Sequence, residues 1–120
     1  MWIWDQSAGE LRRDGALISR GYSGNGRGKN NPAMQAAQGI GPIPTGRWQM
    51  TEIYDSPNVG PRAIKLSACP GTDSCGRDAF RIHGDSISNP GSASHGCIIL
   101  PREVRLKIWG SGDRDLQVVA

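Results

Sequence analysis

Phe80-Arg81-Ile82-His83-Gly84 and, after a Gly/Ser-rich run, Ser94-His95-Gly96-Cys97-Ile98 gather a thiol, both histidines of the chain and three glycines into one window. A thiol attacks as its thiolate and needs a neighbouring base, and glycine lets backbone N–H groups come close to a developing oxyanion. Cys97 is the candidate nucleophile. His83, placed at the end of a short strand, is the candidate base that takes the thiol proton and later returns one to the leaving group. The Gly84 carbonyl, Asp85 and Ser86 are the candidates for orienting its second nitrogen. The amides of His95, Gly96 and Cys97 are the expected oxyanion donors. His95 shares a face with Cys97 in an extended segment, which suits a role in positioning substrate or stabilising the site.

Ser94 and Ser86 read as hydrogen-bonding loop residues that, with Arg102, Arg81 and Tyr22, border the expected substrate site. Arg62 is a further candidate cation, and Trp48 reads as core. A zinc site built from His83, His95, Cys97 and Cys69 or Cys75 has the right ligand types but lacks a Cys-x-x-Cys or His-x-x-x-His knuckle. A papain-like peptidase needs its histidine after the cysteine, whereas both histidines here precede Cys97. In Gly24-Asn25-Gly26-Arg27-Gly28-Lys29-Asn30 the Lys is followed by Asn where a phosphate-binding loop needs Ser or Thr.

The elements that must hold these residues are short. Trp2–Asp5, Glu10–Arg13 and Ala16–Tyr22 read as strands joined by Ser7-Ala8-Gly9 and Asp14-Gly15, the latter a hairpin signal. Ser23 to Asn30 has no periodicity and is expected as a mobile loop. Asn31-Pro32 opens a short helix closed by Gly39. Gly46–Ile53, Arg62–Ser67 and Phe80–His83 follow as strands, the last delivering His83. Cys97–Leu100 is a short buried strand, Pro101 starts a helix with Val104, Leu106, Ile108 and Trp109 as apolar positions, and Asp115–Val119 closes the chain. Strands without a βαβ rhythm predict a mainly β, antiparallel single domain over residues 1–120 with one or two short helices.

The 120 residues suffice for one hydrophobic core, and 17 Gly and 8 Pro predict many turns. The net charge of +3 is spread out, with no basic stripe for nucleic acid, and it suits a partner carrying carboxylates. No apolar run approaches membrane-spanning length, and Met1-Trp2-Ile3-Trp4-Asp5 lacks the features of a secretory signal. Three cysteines leave one over if two pair, and a disulfide between Cys69 and Cys75 would close a tight loop and leave Cys97 free.

The His-Gly followed by Ser-His-Gly-Cys resembles the L,D-transpeptidase (YkuD-type) family. Gly21-Tyr22-Ser23-Gly24, Asn30-Asn31-Pro32 and Gly39-Ile40-Gly41-Pro42-Ile43-Pro44-Thr45-Gly46 resemble its Tlde1/DUF2778 branch of type VI secretion effectors. The resemblance implies a β-sandwich or barrel of L,D-transpeptidase type without cofactor. It implies Cys97 acylation by peptidoglycan stem peptides, with a supporting role for His95. The activity would be L,D-carboxypeptidase, D-amino-acid exchange or L,D-transpeptidase chemistry. It also implies injection into the periplasm of a target bacterium, a cognate immunity protein as partner, and a monomer. The wider family has Arg two residues after the cysteine; here Ile99 stands there, so a substrate carboxylate must find another cation. The alternative classes are a non-enzymatic peptidoglycan-binding β module and a Cys/His zinc domain.

Overall fold

The computed structural model describes residues 1–120. Its strands are β1 (Trp2–Asp5), β2 (Glu10–Arg13), β3 (Ala16–Arg20), β4 (Tyr22–Ser23), β5 (Gly46–Ser56), β6 (Gly60–Ala68), β7 (Arg81–His83), β8 (Ile98–Ile99) and β9 (Asp115–Val119). One helix, α1 (Arg102–Gly110), and two 3-10 turns, Gly26–Gly28 and Pro32–Met34, complete the chain.

Alternation builds the core. Trp2 and Trp4 on β1, Leu11 on β2, Trp48 and Met50 on β5, and Leu116 and Val118 on β9 all turn inward, as period-two side chains do when one face of a sheet is buried. Register stacks them, with Trp4 opposite both Leu11 and Val118 and Trp48 opposite Leu116. Trp48 also meets Phe80 edge-on at 5.0 Å.

All nine strands form one sheet in the order β3-β2-β1-β9-β5-β6-β7-β8-β4. Its two edge strands, β3 and β4, are consecutive in the chain with Gly21 alone between them. One residue cannot span a flat sheet whose strands lie about 4.8 Å apart, so the sheet must curl until its edges meet. Gly21 is the joint: its amide donates to the Gly9 carbonyl at 2.9 Å, and a Cβ there would collide with the Ile99 carbonyl oxygen.

The fold is mainly β, as the sequence predicts, with several local differences. Ala16–Tyr22 is two strands broken at Gly21, because β3 pairs with β2 and β4 with β8. Two pairings are parallel, β1 with β9 and β7 with β8. Parallel neighbours need a connection of about a dozen residues, which the stretch from Gly84 to Cys97 supplies. The expected loop at 23–30 is pinned down, with the Asn25 amide donating to Ile40 and the Asn30 amide to Ser23. The expected helix after Asn31 is only a 3-10 turn, capped by the Asn31 side chain accepting from the Ala33 amide at 3.1 Å. Helix α1 starts after Pro101 and turns Ile108 and Arg105 inward, leaving Leu106 exposed.

Cys69 and Cys75 are free thiols, which corrects the expected disulfide. Cys69 closes a turn through its carbonyl, which accepts from the Thr72 amide at 3.0 Å. Cys75 stands in the left-handed region (φ 58°) with Sγ directed to the Asp73 carbonyl at 3.8 Å.

Candidate active site

The site lies on the parallel pair β7–β8, where Ile82 faces Ile98 and His83 faces Ile99. Ile82 and Ile98 are fully buried in the core. By alternation, His83 and Ile99 point to the other face; Cys97 stands one residue before β8, level with Arg81. Cys97 and His83 are thus diagonal positions on adjacent chain segments, offset by about 7 Å along the strands.

His83 is almost wholly buried, and its Nδ1 lies 2.9 Å from the Gly84 carbonyl oxygen. A carbonyl only accepts, so Nδ1 carries the proton and Nε2 keeps the lone pair of a neutral ring. Of the three candidate orienting groups, the Gly84 carbonyl is the one in contact. Burial pushes the imidazole pKa down, helped by the Arg105 and Arg81 charges and opposed by the Gly84 carbonyl and Asp85. The ring borders a cleft of about 240 Å³ that Gly84, Asp85, Ser86 and Ala93 also line.

Burial pushes the Cys97 thiol pKa up, against the Arg81 amide and the charges of Arg81 and Arg77. Its Sγ is directed to the Ala79 carbonyl at 3.7 Å. The resting pair is therefore a neutral thiol beside a neutral imidazole, with no hydrogen bond joining them.

The turn that presents Cys97 is held from three sides. Ser94 Oγ donates to the Cys97 carbonyl at 2.6 Å and accepts from the Gly24 amide at 2.8 Å and the Gly96 amide at 3.1 Å. Ser23 Oγ donates to the Gly96 carbonyl at 2.7 Å. Gly96 has φ 136°, and a Cβ on it would strike the Arg77 guanidinium and lie 2.9 Å from the Phe80 ring. Because its amide is spent on Ser94, Gly96 shapes the turn, and the His95 and Cys97 amides are the ones left without an internal acceptor.

His95 is exposed and tied elsewhere. Both N–H groups of the Asn25 amide already go to the Ser94 carbonyl at 2.7 Å and the Gly39 carbonyl at 3.1 Å. His95 Nδ1, 3.1 Å from Gly39 O, is therefore itself the donor. Tyr22 donates its hydroxyl to Asp85 at 2.6 Å and accepts from the Ala93 amide at 3.0 Å, strapping the loop between the two motifs. Burial and the Asp85 carboxylate push its phenol up to about 12. Ser86 caps that loop through the Asn89 amide at 3.1 Å. Arg62, at φ 57°, uses its carbonyl to hold Arg105, and Arg102 stands exposed at the start of α1. No three His, Cys, Asp or Glu side chains converge, so the donors considered for zinc are not assembled into a cluster.

Arg77 went unnoticed in the sequence. It is buried, and its guanidinium donates to the carbonyls of Gln35, Pro42, Gly41 and His95 at 2.6 to 3.0 Å. It thereby ties the 35–42 segment to the turn that carries Cys97. Only the preceding Cys75-Gly76 break hints that it enters the interior.

The curled, mainly β sheet is similar in fold to an L,D-transpeptidase. A crystal structure of an L,D-transpeptidase (Yku) from Stackebrandtia nassauensis superposes with a TM-score of 0.55 at 16% identity, over 99% of this chain and 54% of that one. This chain thus spans about half the length of that protein. The family model of the Tlde1 domain matches residues 18–119, and the chain belongs to that family, a peptidoglycan-related effector group. Membership fits a secreted protein, and no helix is long and apolar enough to cross a membrane. No curated protein sequence matches the chain.

Proposed function

We propose that the protein is a cysteine-dependent enzyme of peptidoglycan stem peptides, acting in the periplasm of a target bacterium after secretion. The observation that carries this reading is the His83 Nδ1–Gly84 carbonyl bond at 2.9 Å, which leaves Nε2 basic on the strand beside the segment that bears Cys97. In the proposed reaction Sγ leaves the Ala79 carbonyl and turns to that nitrogen through a change of χ1. Nε2 then accepts the thiol proton as sulfur attacks the carbonyl of the L-centred residue in an L,D bond. The oxyanion is received by the free amides of His95 and Cys97. Collapse breaks the C–N bond, the imidazolium gives its proton to the departing D-amino acid amine, and a thioester remains on Cys97. Water or another amine, deprotonated by His83, then attacks the thioester and releases the thiol.

Hydrolysis or D-amino-acid exchange is the preferred outcome, because either depletes the donor stems that cross-linking requires. A cognate immunity protein in the producing cell would be the natural partner. Incubation with purified tetrapeptide and pentapeptide muropeptides, read by mass, distinguishes hydrolysis, exchange and cross-linking. The expected result is loss or replacement of the terminal D-residue by the wild type and none by Cys97→Ala. Peptide binding with no turnover by any form would instead leave a binding module.

A further inference from the structure

Beyond Ile99 this side of the molecule opens into a cavity of about 780 Å³, which Gly84, Ile99, Arg20, Arg102 and Arg105 help to line. Its charges are unbalanced. Arg20 is engaged by Glu10 at 3.3 Å, and Asp85, the carboxylate on the wall, is taken up by Tyr22 and the amides of Ser86 and Gly91. Arg105 is buried, with three of its five N–H groups on the carbonyls of Arg62, Leu100 and Pro61 at 2.6 to 3.2 Å, and it has no acidic partner. A Cβ on Gly84 would lie 3.0 Å from its Nη1, so glycine next to the imidazole is what admits the guanidinium. Arg102, also unpaired, stands close enough that the two charges repel. Two neighbouring guanidiniums without a counter-charge at the rim of a cavity form a place for an anion.

We propose that this cavity is a substrate subsite in which Arg102 and Arg105 bind a free carboxylate of the peptide, one lying away from the bond that is cut. The proposal rests on the stem-peptide reading above. Ile99, two residues past Cys97 and so about 7 Å along the strand, is where the cavity begins, and Arg102 lies further on. The carboxylate held there is thus two or more peptide residues from the scissile carbonyl, too far to be that of the departing amino acid. The fitting group is the free α-carboxylate of the residue preceding the one attacked.

The test uses Cys97→Ala protein, which binds without turnover, and two tetrapeptide stems that differ only in whether that internal carboxylate is free or amidated. Calorimetry is expected to give about tenfold tighter binding of the free acid. Arg102→Ala in the same background should erase the difference and Arg102→Lys partly restore it. Arg102 is exposed, so these variants fold, which circular dichroism checks. Equal affinities, a difference that survives Arg102→Ala, or no binding of either peptide at millimolar concentration overturns the subsite. Failure of the enzyme reading appears separately, as a wild type that keeps the acid preference but cleaves neither stem.

Discussion

At the scale of single residues, the chemistry turns on two neutral groups. Burial holds the His83 pKa below the ordinary imidazole value and the Cys97 pKa above the ordinary thiol value, so no ion pair stands ready. Activity rises as the imidazole loses its proton, so the acid limb of kcat/KM is expected below the usual histidine value of about 6.5. A limb above that value would contradict the buried, neutral base. Stability follows with the same sign. Because the folded pKa is depressed, the contribution of His83 is whole above about pH 6.5 and falls as pH drops toward the folded value. Urea midpoints should therefore decline less between pH 7 and 5 in His83→Gln than in the wild type. Gly96→Ala puts a Cβ against Arg77 and Phe80 at φ 136° and is expected to cost about 2 kcal/mol or more by urea unfolding, with loss of turnover.

At the scale of elements, the site was legible where chemistry is written in neighbouring letters. His83, Gly84, Ser94 and Cys97 stand in a pattern whose residue types announce acyl transfer, and β1, β2 and β9 follow from alternation. Arg77 was not legible, because its partners at 35, 41, 42 and 95 are brought together only by folding. The break at Gly21 was hidden too, since a continuous apolar–polar run says nothing about a strand changing partners. The same holds for the expected pairing of Cys69 and Cys75: spacing admits a bridge, but the turn and the left-handed Cys75 direct the thiol to a carbonyl. Arg77→Met tests the tie between the 35–42 segment and the Cys97 turn. Removing a buried donor to four carbonyls should cost about 3 kcal/mol, measured by denaturant, and slow alkylation of Cys97 by iodoacetamide, since a positive charge near the sulfur is lost. Unchanged alkylation would leave Arg77 a purely structural clamp.

At the scale of the whole molecule, the family match begins at residue 18, yet β1 and β2 lie inside the sheet between β3 and β9. Trp2 and Trp4 are wholly buried there, so the first two strands complete the core beneath His83 and Cys97. Trp4→Ala is expected to cost about 3–5 kcal/mol by urea unfolding. A change below 1 kcal/mol would mean that β1 is dispensable to the core. The central claim is that Cys97 is acylated with His83 as its base. Its most direct test is the intact mass of the protein, acid-quenched within seconds of mixing with a tetrapeptide stem. The account predicts a peptide adduct on Cys97 in the wild type, much reduced in His83→Gln and absent in Cys97→Ala. A Cys97→Ala protein that still processes the stem at the wild-type rate would contradict it.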